Sequence, residues 1–237
     1  MNNTYAGKTI IITGDTRGIG EYLVKRYLSK GSNVIGLARS NAVLSSENYR
    51  HYCVDITDER QISRITKEIK LDFKRIDIVI NNAGVASMNS TLLMPYATAS
   101  KILNINVLGT FIVSKEAAKT MIKQNYGRII NISSVAVPLR IEGEAIYAAS
   151  KAAVEQFTKV FAKELSPFGI TVNAVGPAPM PTGLIAGVAP EKIEKLVNSM
   201  PINRLGEFRD VENAIDFFAS GSSDCITGQV VYLGGVS

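Results

Sequence analysis

Tyr147 and Lys151 stand four residues apart in the run Tyr-Ala-Ala-Ser-Lys. On an α-helix that spacing puts both side chains on one face, so a phenol and an ammonium share one space. A free tyrosine titrates near pH ~10 and exchanges protons poorly at neutral pH. A neighbouring cation favours the phenolate and lowers that value toward the working range. The pair is thus a candidate for proton transfer. The same spacing also arises where a buried ring lies beside a solvated amine, so the rest of the chain must supply the other parts.

A second constellation is Thr13-Gly14-Asp15-Thr16-Arg17-Gly18-Ile19-Gly20, between an apolar run and a helical pattern. Gly14 allows a tight turn, Gly18 lets backbone approach a pyrophosphate, and Gly20 lets the helix pack close to the sheet. The helix N-terminus then offers N–H donors and a positive dipole to phosphate. The spacing is Gly-x-x-x-Gly-x-Gly, not Gly-x-Gly-x-x-Gly. Asp15 is unusual so close to a phosphate; its carboxylate must turn away, or cap the turn.

The next apolar run ends Gly36-Leu37-Ala38-Arg39-Ser40, and no acid occurs between Glu21 and Glu47. An acid here would bind the ribose 2′-hydroxyl of NAD. Arg17 and Arg39 instead offer planar, permanently charged forks suited to a 2′-phosphate, which favours NADPH. Asp55 can accept from an adenine amino group while Ile56 covers the ring, or Asp55 can cap the following helix. Asn81-Asn82-Ala83-Gly84 reads as a turn whose small residues let backbone lie against a cofactor.

These residues need elements that hold them together. Short β-rich runs alternate with amphipathic stretches. Strands are expected at Lys8–Thr13, Asn33–Ala38, Arg50–Val54, Asp77–Asn81, Arg128–Ser133, Ile170–Val175 and Gln229–Leu233. Helices are expected at Ile19–Lys30 (ended by Gly31), Asp58–Phe73 (capped by Thr57 or Asp58), Ala97–Lys123, Glu144–Ser166 and Asp210–Ser220. Residues 178–200 mix Pro, Gly and a short helix, as a flap over a site would. Such alternation predicts an α/β fold, a doubly wound parallel sheet of the Rossmann type with seven strands and helices on both faces. No linker or repeat divides residues 1–237, so one domain is expected. In such sheets the ligand sits off the carboxyl ends of the strands, where the candidates fall.

With 46% hydrophobic and 20% charged residues, the 237-residue chain reads as soluble and globular. The net charge of +5 is spread among acids with no basic run, which argues against nucleic acid. No apolar stretch is expected to reach a membrane span, and no charged-then-apolar leader opens the chain. Cys53 and Cys225 are distant thiols without metal-ligand spacing, which fits a reducing cytoplasm. His51 is the sole histidine, which excludes a histidine triad or zinc site.

Together the motifs resemble the short-chain dehydrogenase/reductase family over essentially the whole chain. The matches are Thr13-Gly14-x-x-x-Gly18-x-Gly20, Asn81-Asn82-Ala83-Gly84, Asn106 in Asn-Val-Leu-Gly, Ser134, and Tyr147-x-x-x-Lys151. The resemblance implies that Tyr147 donates a proton to a substrate carbonyl as hydride arrives from the nicotinamide. Lys151 would lower the tyrosine pKa and hold the nicotinamide ribose, and Ser134 would fix the carbonyl. Asn106 would hold a water linking Lys151 to solvent. Ser133 adjoins Ser134, and in a strand only one of them can face the site; Asn104 competes with Asn106, which the motif selects. The implied NADP(H)-binding set is Gly14, Thr16, Arg17, Gly18, Ile19, Gly20, Arg39, Ser40, Asp55, Ile56, Asn82, Ala83, Gly84, Tyr147, Lys151, Pro177, Met180 and Thr182, with no metal. Relatives commonly carry Pro-Gly where this chain has Pro177-Ala178, which questions the local backbone path.

Pro201–Gly206 and Ile226–Val231 most resemble bacterial 3-oxoacyl-[acyl-carrier-protein] reductases. That implies a small-molecule or carrier-protein-bound ketone as substrate. The family also packs its two long helices across a subunit interface, which implies a homotetramer or homodimer. A sugar or polyketide ketone is the alternative substrate, and a catalytically quiet NADPH-binding regulator is the alternative from another class.

Overall fold

Thr9-Ile-Ile-Ile-Thr13 is an unbroken β-branched run, and all five residues are buried. It forms β1 (Thr9–Thr13), central in a parallel sheet with β2 (Asn33–Ala38), β3 (Tyr49–Cys53), β4 (Ile78–Asn81), β5 (Gly127–Ile132), β6 (Ile170–Gly176) and β7 (Val230–Tyr232). The seven strands lie in the order β3-β2-β1-β4-β5-β6-β7, and every pair is parallel. The computed structural model describes residues 5–42, 44–183 and 187–236.

Parallel pairing forces crossovers, and these coat both faces. On one face α1 (Gly18–Ser29) and α8 (Phe208–Ala219) close a core of Ile10, Ile12, Leu23, Tyr27, Val34, Ile80 and Phe218. On the other, α2 (Glu59–Phe73), α4 (Thr110–Gln124) and α6 (Ala145–Leu165) close a core of Ile11, Ile35, Ile65, Val79, Val113 and Val172. Alternation along β1 explains the division, since Ile10 and Ile12 face one layer and Ile11 the other. The chain reverses winding between β1 and β4, the topological switch point where such sheets bind ligands.

Most element boundaries fall within one or two residues of expectation. Gly31 ends α1 with φ of 75°. Of the two candidate caps for α2, Asp58 accepts from the Gln61 backbone N–H at 3.0 Å. The expected helix at 97–123 is three segments: α3 (Tyr96–Leu103), a π-helical stretch (Asn104–Gly109), and α4. A short helix, α5 (Ala136–Leu139), was not foreseen, while α7 (Pro190–Asn198) is the helix expected within 178–200.

One expectation needs correction. The continuous run Tyr96–Gln124 is 29 residues long and holds an 18-residue window with a mean hydropathy of 1.2, enough by length and composition to span a bilayer. Here its apolar side packs on α2, α6, β4 and β5, as a core helix does.

Candidate active site

The glycines of the β1–α1 turn are required by close approach. At Gly20 a Cβ would stand 2.1 Å from the Gly14 carbonyl oxygen, and at Gly14 it would stand 3.0 Å from the Ala83 Cα. Gly14 and Gly18 also take positive φ, at 69° and 57°. The Asn82–Gly84 turn is tied to β1: the Asn82 and Ala83 amides donate to Thr13 Oγ1 at 3.0 and 2.9 Å, and Asn82 Nδ2 donates to the Thr13 carbonyl at 3.0 Å. The backbone is thereby drawn into a cradle lined by Gly14, Thr16, Arg17, Gly18 and Ile19 on one side and Asn82, Ala83 and Gly84 on the other.

The same cleft takes in Arg39, Ser40, Asp55 and Ile56. Thr16 Oγ1 and Ser40 Oγ lie 3.1 Å apart, linking the loop to the end of β2. Arg17 and Arg39 are exposed, and among the described residues neither forms an ion pair. Two unspent guanidinium groups beside a glycine cradle fit a dinucleotide with an extra phosphate on its adenosine ribose. Asp55 Oδ1 accepts from the Thr57 amide at 2.9 Å and from its hydroxyl at 2.8 Å, so it closes a local turn; the helix cap is Asp58. Ile56 is buried and leans on the π-helical segment, where a Cβ on Gly109 would meet its Cδ1 at 2.5 Å.

A second cleft adjoins the first, with Ile19, Asn82, Gly84, Ala86 and Thr182 lining both. It is lined by Ser134, Tyr147 and Lys151, with Ile141, Ala178, Met180 and Leu196 among its apolar walls. Tyr147 and Lys151 sit on one face of α6, with the amine 5.8 Å from the ring centroid. Burial pushes the Tyr147 phenol up to about 12; the Ser134 hydroxyl pulls it down and the Glu144 carboxylate adds to the rise. Burial likewise brings Lys151 down to about 8, opposed by Glu155. In this geometry the Lys151 amine donates to the Ile132 carbonyl at 2.7 Å and stands beside the Tyr147 ring without a hydrogen bond to its hydroxyl.

Ser133 and Ser134 both border the cleft, and their hydroxyls are separated by their partners. Ser133 is buried and donates to Glu155, which also accepts from the Tyr232 hydroxyl at 2.7 Å. Ser134 faces the cleft and accepts from the Ala136 amide at 3.1 Å at the start of α5. Asn106 is buried in the π-helical segment. Its Oδ1 accepts from the Val85 amide at 2.9 Å, and its Nδ2 donates to the Val85 carbonyl at 2.9 Å and Ser150 Oγ at 3.0 Å. That side chain is committed, so any water held at Asn106 rests on main-chain groups. A Cβ on Gly84 would lie 3.3 Å from Asn106 Oδ1 and 3.5 Å from Lys151 Nζ, which places these residues around one point.

After β6 the departure at Ala178 proves benign. The described non-glycine residues with positive φ are Lys74, Asn125 and Arg140, so Ala178 needs no glycine geometry. The segment is held by Val135 N–H to the Pro177 carbonyl at 3.2 Å and Gly206 N–H to the Pro179 carbonyl at 2.8 Å. Met180 is buried, and Thr182 lies over the glycine loop, its Cγ2 3.5 Å from where a Gly18 Cβ would be. Residues 184–186 of the expected flap lie outside the described residues.

Two residues gained no role from the sequence. Glu144 lines the catalytic cleft, and burial raises its carboxyl above the usual range. Its position three residues before Tyr147, at the N-cap of α6, was the available signal. Asp15 turns away from the loop, as required, and is fully buried beneath it. Its partners are distant in sequence, and no local pattern marks them.

A short chain dehydrogenase family model matches residues 8–193. The chain is 34% identical over 235 residues to the 3-oxoacyl-[acyl-carrier-protein] reductase FabG of Haemophilus influenzae, covering 97% of each chain. It is 32% identical to the Escherichia coli FabG over 237 residues, covering 98% of this chain and 97% of that one. The solved ligand-free aldohexose dehydrogenase of Thermoplasma acidophilum superposes with a TM-score of 0.88 at 31% identity, covering 98% of this chain and 94% of that one. ElxO with NADP bound also gives 0.88 at 31% identity, covering 95% and 96%. With the glycine turn, the Asn-Asn-Ala-Gly turn and the Ser134, Tyr147 and Lys151 cluster in place around one pair of clefts, the chain belongs to the short-chain dehydrogenase family of NAD(P)-dependent oxidoreductases.

Proposed function

We propose that the protein reduces a ketone to a secondary alcohol with NADPH, and that the ketone is a 3-oxoacyl thioester, free or on an acyl carrier protein. The observation that carries this reading is the continuity of the two clefts, which brings the Ser134 and Tyr147 hydroxyls beside the dinucleotide cradle. NADP(H) is the coenzyme, and when bound it supplies the hydride. Arg17 and Arg39 would hold its 2′-phosphate, the Gly14–Gly20 turn its pyrophosphate, and Lys151 and Thr182 the nicotinamide end.

The chain's own work is then proton delivery and orientation. Ser134 and Tyr147 hydrogen-bond the substrate carbonyl oxygen and polarise it. The Tyr147 O–H proton passes to that oxygen as negative charge develops there. The phenolate left behind is stabilised by Ser134 and by the Lys151 ammonium, once the amine turns from the Ile132 carbonyl toward the cleft. Lys151 then returns a proton to the phenolate and is itself reprotonated from solvent through a water that main-chain groups at Asn106 would hold. The apolar walls, including Leu196 of α7 within the 178–200 flap, suit an acyl chain and exclude water.

The similarity to the FabG reductases favours the thioester. The Glu144 carboxylate in the cleft supports a second reading, a hydroxylated ketone such as a sugar, whose hydroxyl it would bind. Leu103, Leu108, Phe111 and Val160 are exposed on the long helices, consistent with a homodimer or homotetramer closing over them.

The test is NADPH oxidation with acetoacetyl thioester, beside NADH, for the native protein and Tyr147→Phe. Turnover with NADPH that the variant lacks supports the reading. Unimpaired NADPH binding without turnover discards the thioester and leaves the hydroxylated ketone.

A further inference from the structure

Asp15 stands inside the phosphate-binding turn, where a carboxylate is electrostatically unwelcome, and its side chain is fully buried. Burying a charge is costly unless it is well hydrogen-bonded, so its presence calls for a return. Its Oδ2 accepts from His51 Nδ1 at 2.8 Å and from the Tyr49 hydroxyl. Both partners lie on β3, two strands away, because β2 separates β1 from β3. The carboxylate reaches them by lying across β2 at Gly36, which pairs with Ile12 on one side and His51 on the other. Only glycine leaves that path open: a Cβ there would stand 1.7 Å from Asp15 Oδ2 and 2.9 Å from the Tyr49 hydroxyl. Tyr49 and His51 are two residues apart and so share one sheet face. An ionised carboxylate can only accept, so the contact with His51 uses a hydrogen on Nδ1, while Nε2 is buried without a partner. Burial, reinforced by Asp15, holds the Tyr49 phenol well above its usual range, so it too remains a donor.

We infer that Asp15, Tyr49 and His51, with Gly36 as the opening between them, form a tether that positions the coenzyme loop for NADPH. The two residues after Asp15 are Thr16, which meets Ser40 at 3.1 Å, and Arg17. Fixing Asp15 to β3 fixes these groups against Arg39 and Ser40 at the end of β2, where the 2′-phosphate would lie. These three are positioning residues; the side chains that would touch coenzyme are Thr16, Arg17, Arg39 and Ser40. The inference rests on the coenzyme assignment and not on the substrate, so it is tested by binding alone.

The measurement is NADPH titration followed by nicotinamide fluorescence, with a thermal melt of each variant. Asp15→Ala and His51→Leu are each expected to weaken NADPH about tenfold, the scale of one charge-assisted hydrogen bond. His51→Asn, whose amide can still donate to the carboxylate, restores most of that loss. Gly36→Ala weakens binding in the native background but adds nothing in Asp15→Ala, where the obstructed carboxylate is gone. Native affinity in Asp15→Ala overturns the proposal whether or not its melting temperature falls, since the cluster is then only structural. An equal cost of Gly36→Ala in both backgrounds also overturns it. Should Asp15→Ala fail to fold, the isosteric Asp15→Asn takes its place in the cycle. A native protein that binds no NADPH would instead refute the coenzyme assignment.

Discussion

The two clefts share a wall but use charge in opposite ways. In the dinucleotide half the cations Arg17 and Arg39 are exposed and unspent, and the buried carboxylate of Asp15 turns away from the cleft. In the catalytic half Lys151 is buried, and burial moves both Lys151 and Tyr147 from their ordinary values. An exposed arginine keeps its charge and can recognise phosphate across a range of conditions. A desolvated phenol and amine are poor at recognition, but small changes in their surroundings move a proton. Binding and chemistry are thus kept in separate electrostatic environments, joined among the described residues at Ile19, Asn82, Gly84, Ala86 and Thr182.

Substitutions should separate the halves. The largest effect is expected from Tyr147→Phe, which removes the proton donor. Turnover should fall by about a thousandfold or more while the dissociation constant for NADPH stays near native, measured by steady-state rates and fluorescence titration. Loss of coenzyme affinity in that variant would break the separation. Next, Arg39→Ala should raise KM for NADPH by roughly ten- to a hundredfold and leave that for NADH nearly unchanged, because only NADPH carries the 2′-phosphate. Equal losses for both coenzymes would mean that Arg39 shapes the loop instead of reading the phosphate. Gly20→Ala places a carbon against the Gly14 carbonyl oxygen and should cost about 1–3 kcal/mol of stability, seen in chemical denaturation.

The smallest effect concerns pH and stability. Lys151 titrates at 10.5 when unfolded and at about 8 when folded. Between those values the unfolded chain holds a proton that the folded chain has released, so stability rises with pH across that window. Below the folded value both forms are charged and the cost of burying the ammonium stands in full. Lys151→Met should therefore show a smaller rise in melting temperature between about pH 8 and 10 than the native protein. Identical slopes would show that the amine is better solvated than its burial implies.

How much of this could be read from sequence depended on distance along the chain. The glycine turn was legible because its constraint is local: Gly14, Gly18 and Gly20 act within one turn and one helix start. The sheet was legible because parallel crossovers follow from alternation. The destination of Asp15 was not, since Tyr49 and His51 lie 34 and 36 positions away and meet it only through strand register. Alternation showed that Ser133 and Ser134 must diverge, but not which faced inward. The buried Glu155 across the sheet end decides that by holding Ser133. The resting partner of Lys151 was not legible for a related reason. Spacing on α6 reports that the groups share a face, but not that the amine is already engaged by the Ile132 carbonyl.

The π-helical segment Asn104–Gly109 has a consequence for how this chain tolerates length changes. Such a turn is an α-helix holding one surplus residue. Deleting a single residue there would let α3 and α4 fuse into one regular helix with its hydrogen bonds intact, so the backbone would be, if anything, better satisfied. The residues upstream of the cut would rotate by about a third of a turn relative to α4. Asn106 would leave Val85 and Ser150, and Gly109 would no longer make room for Ile56. Among single-residue deletions, this is the place where a well-folded protein with a dismantled site is expected, since regular geometry and function ask for different numbers of residues.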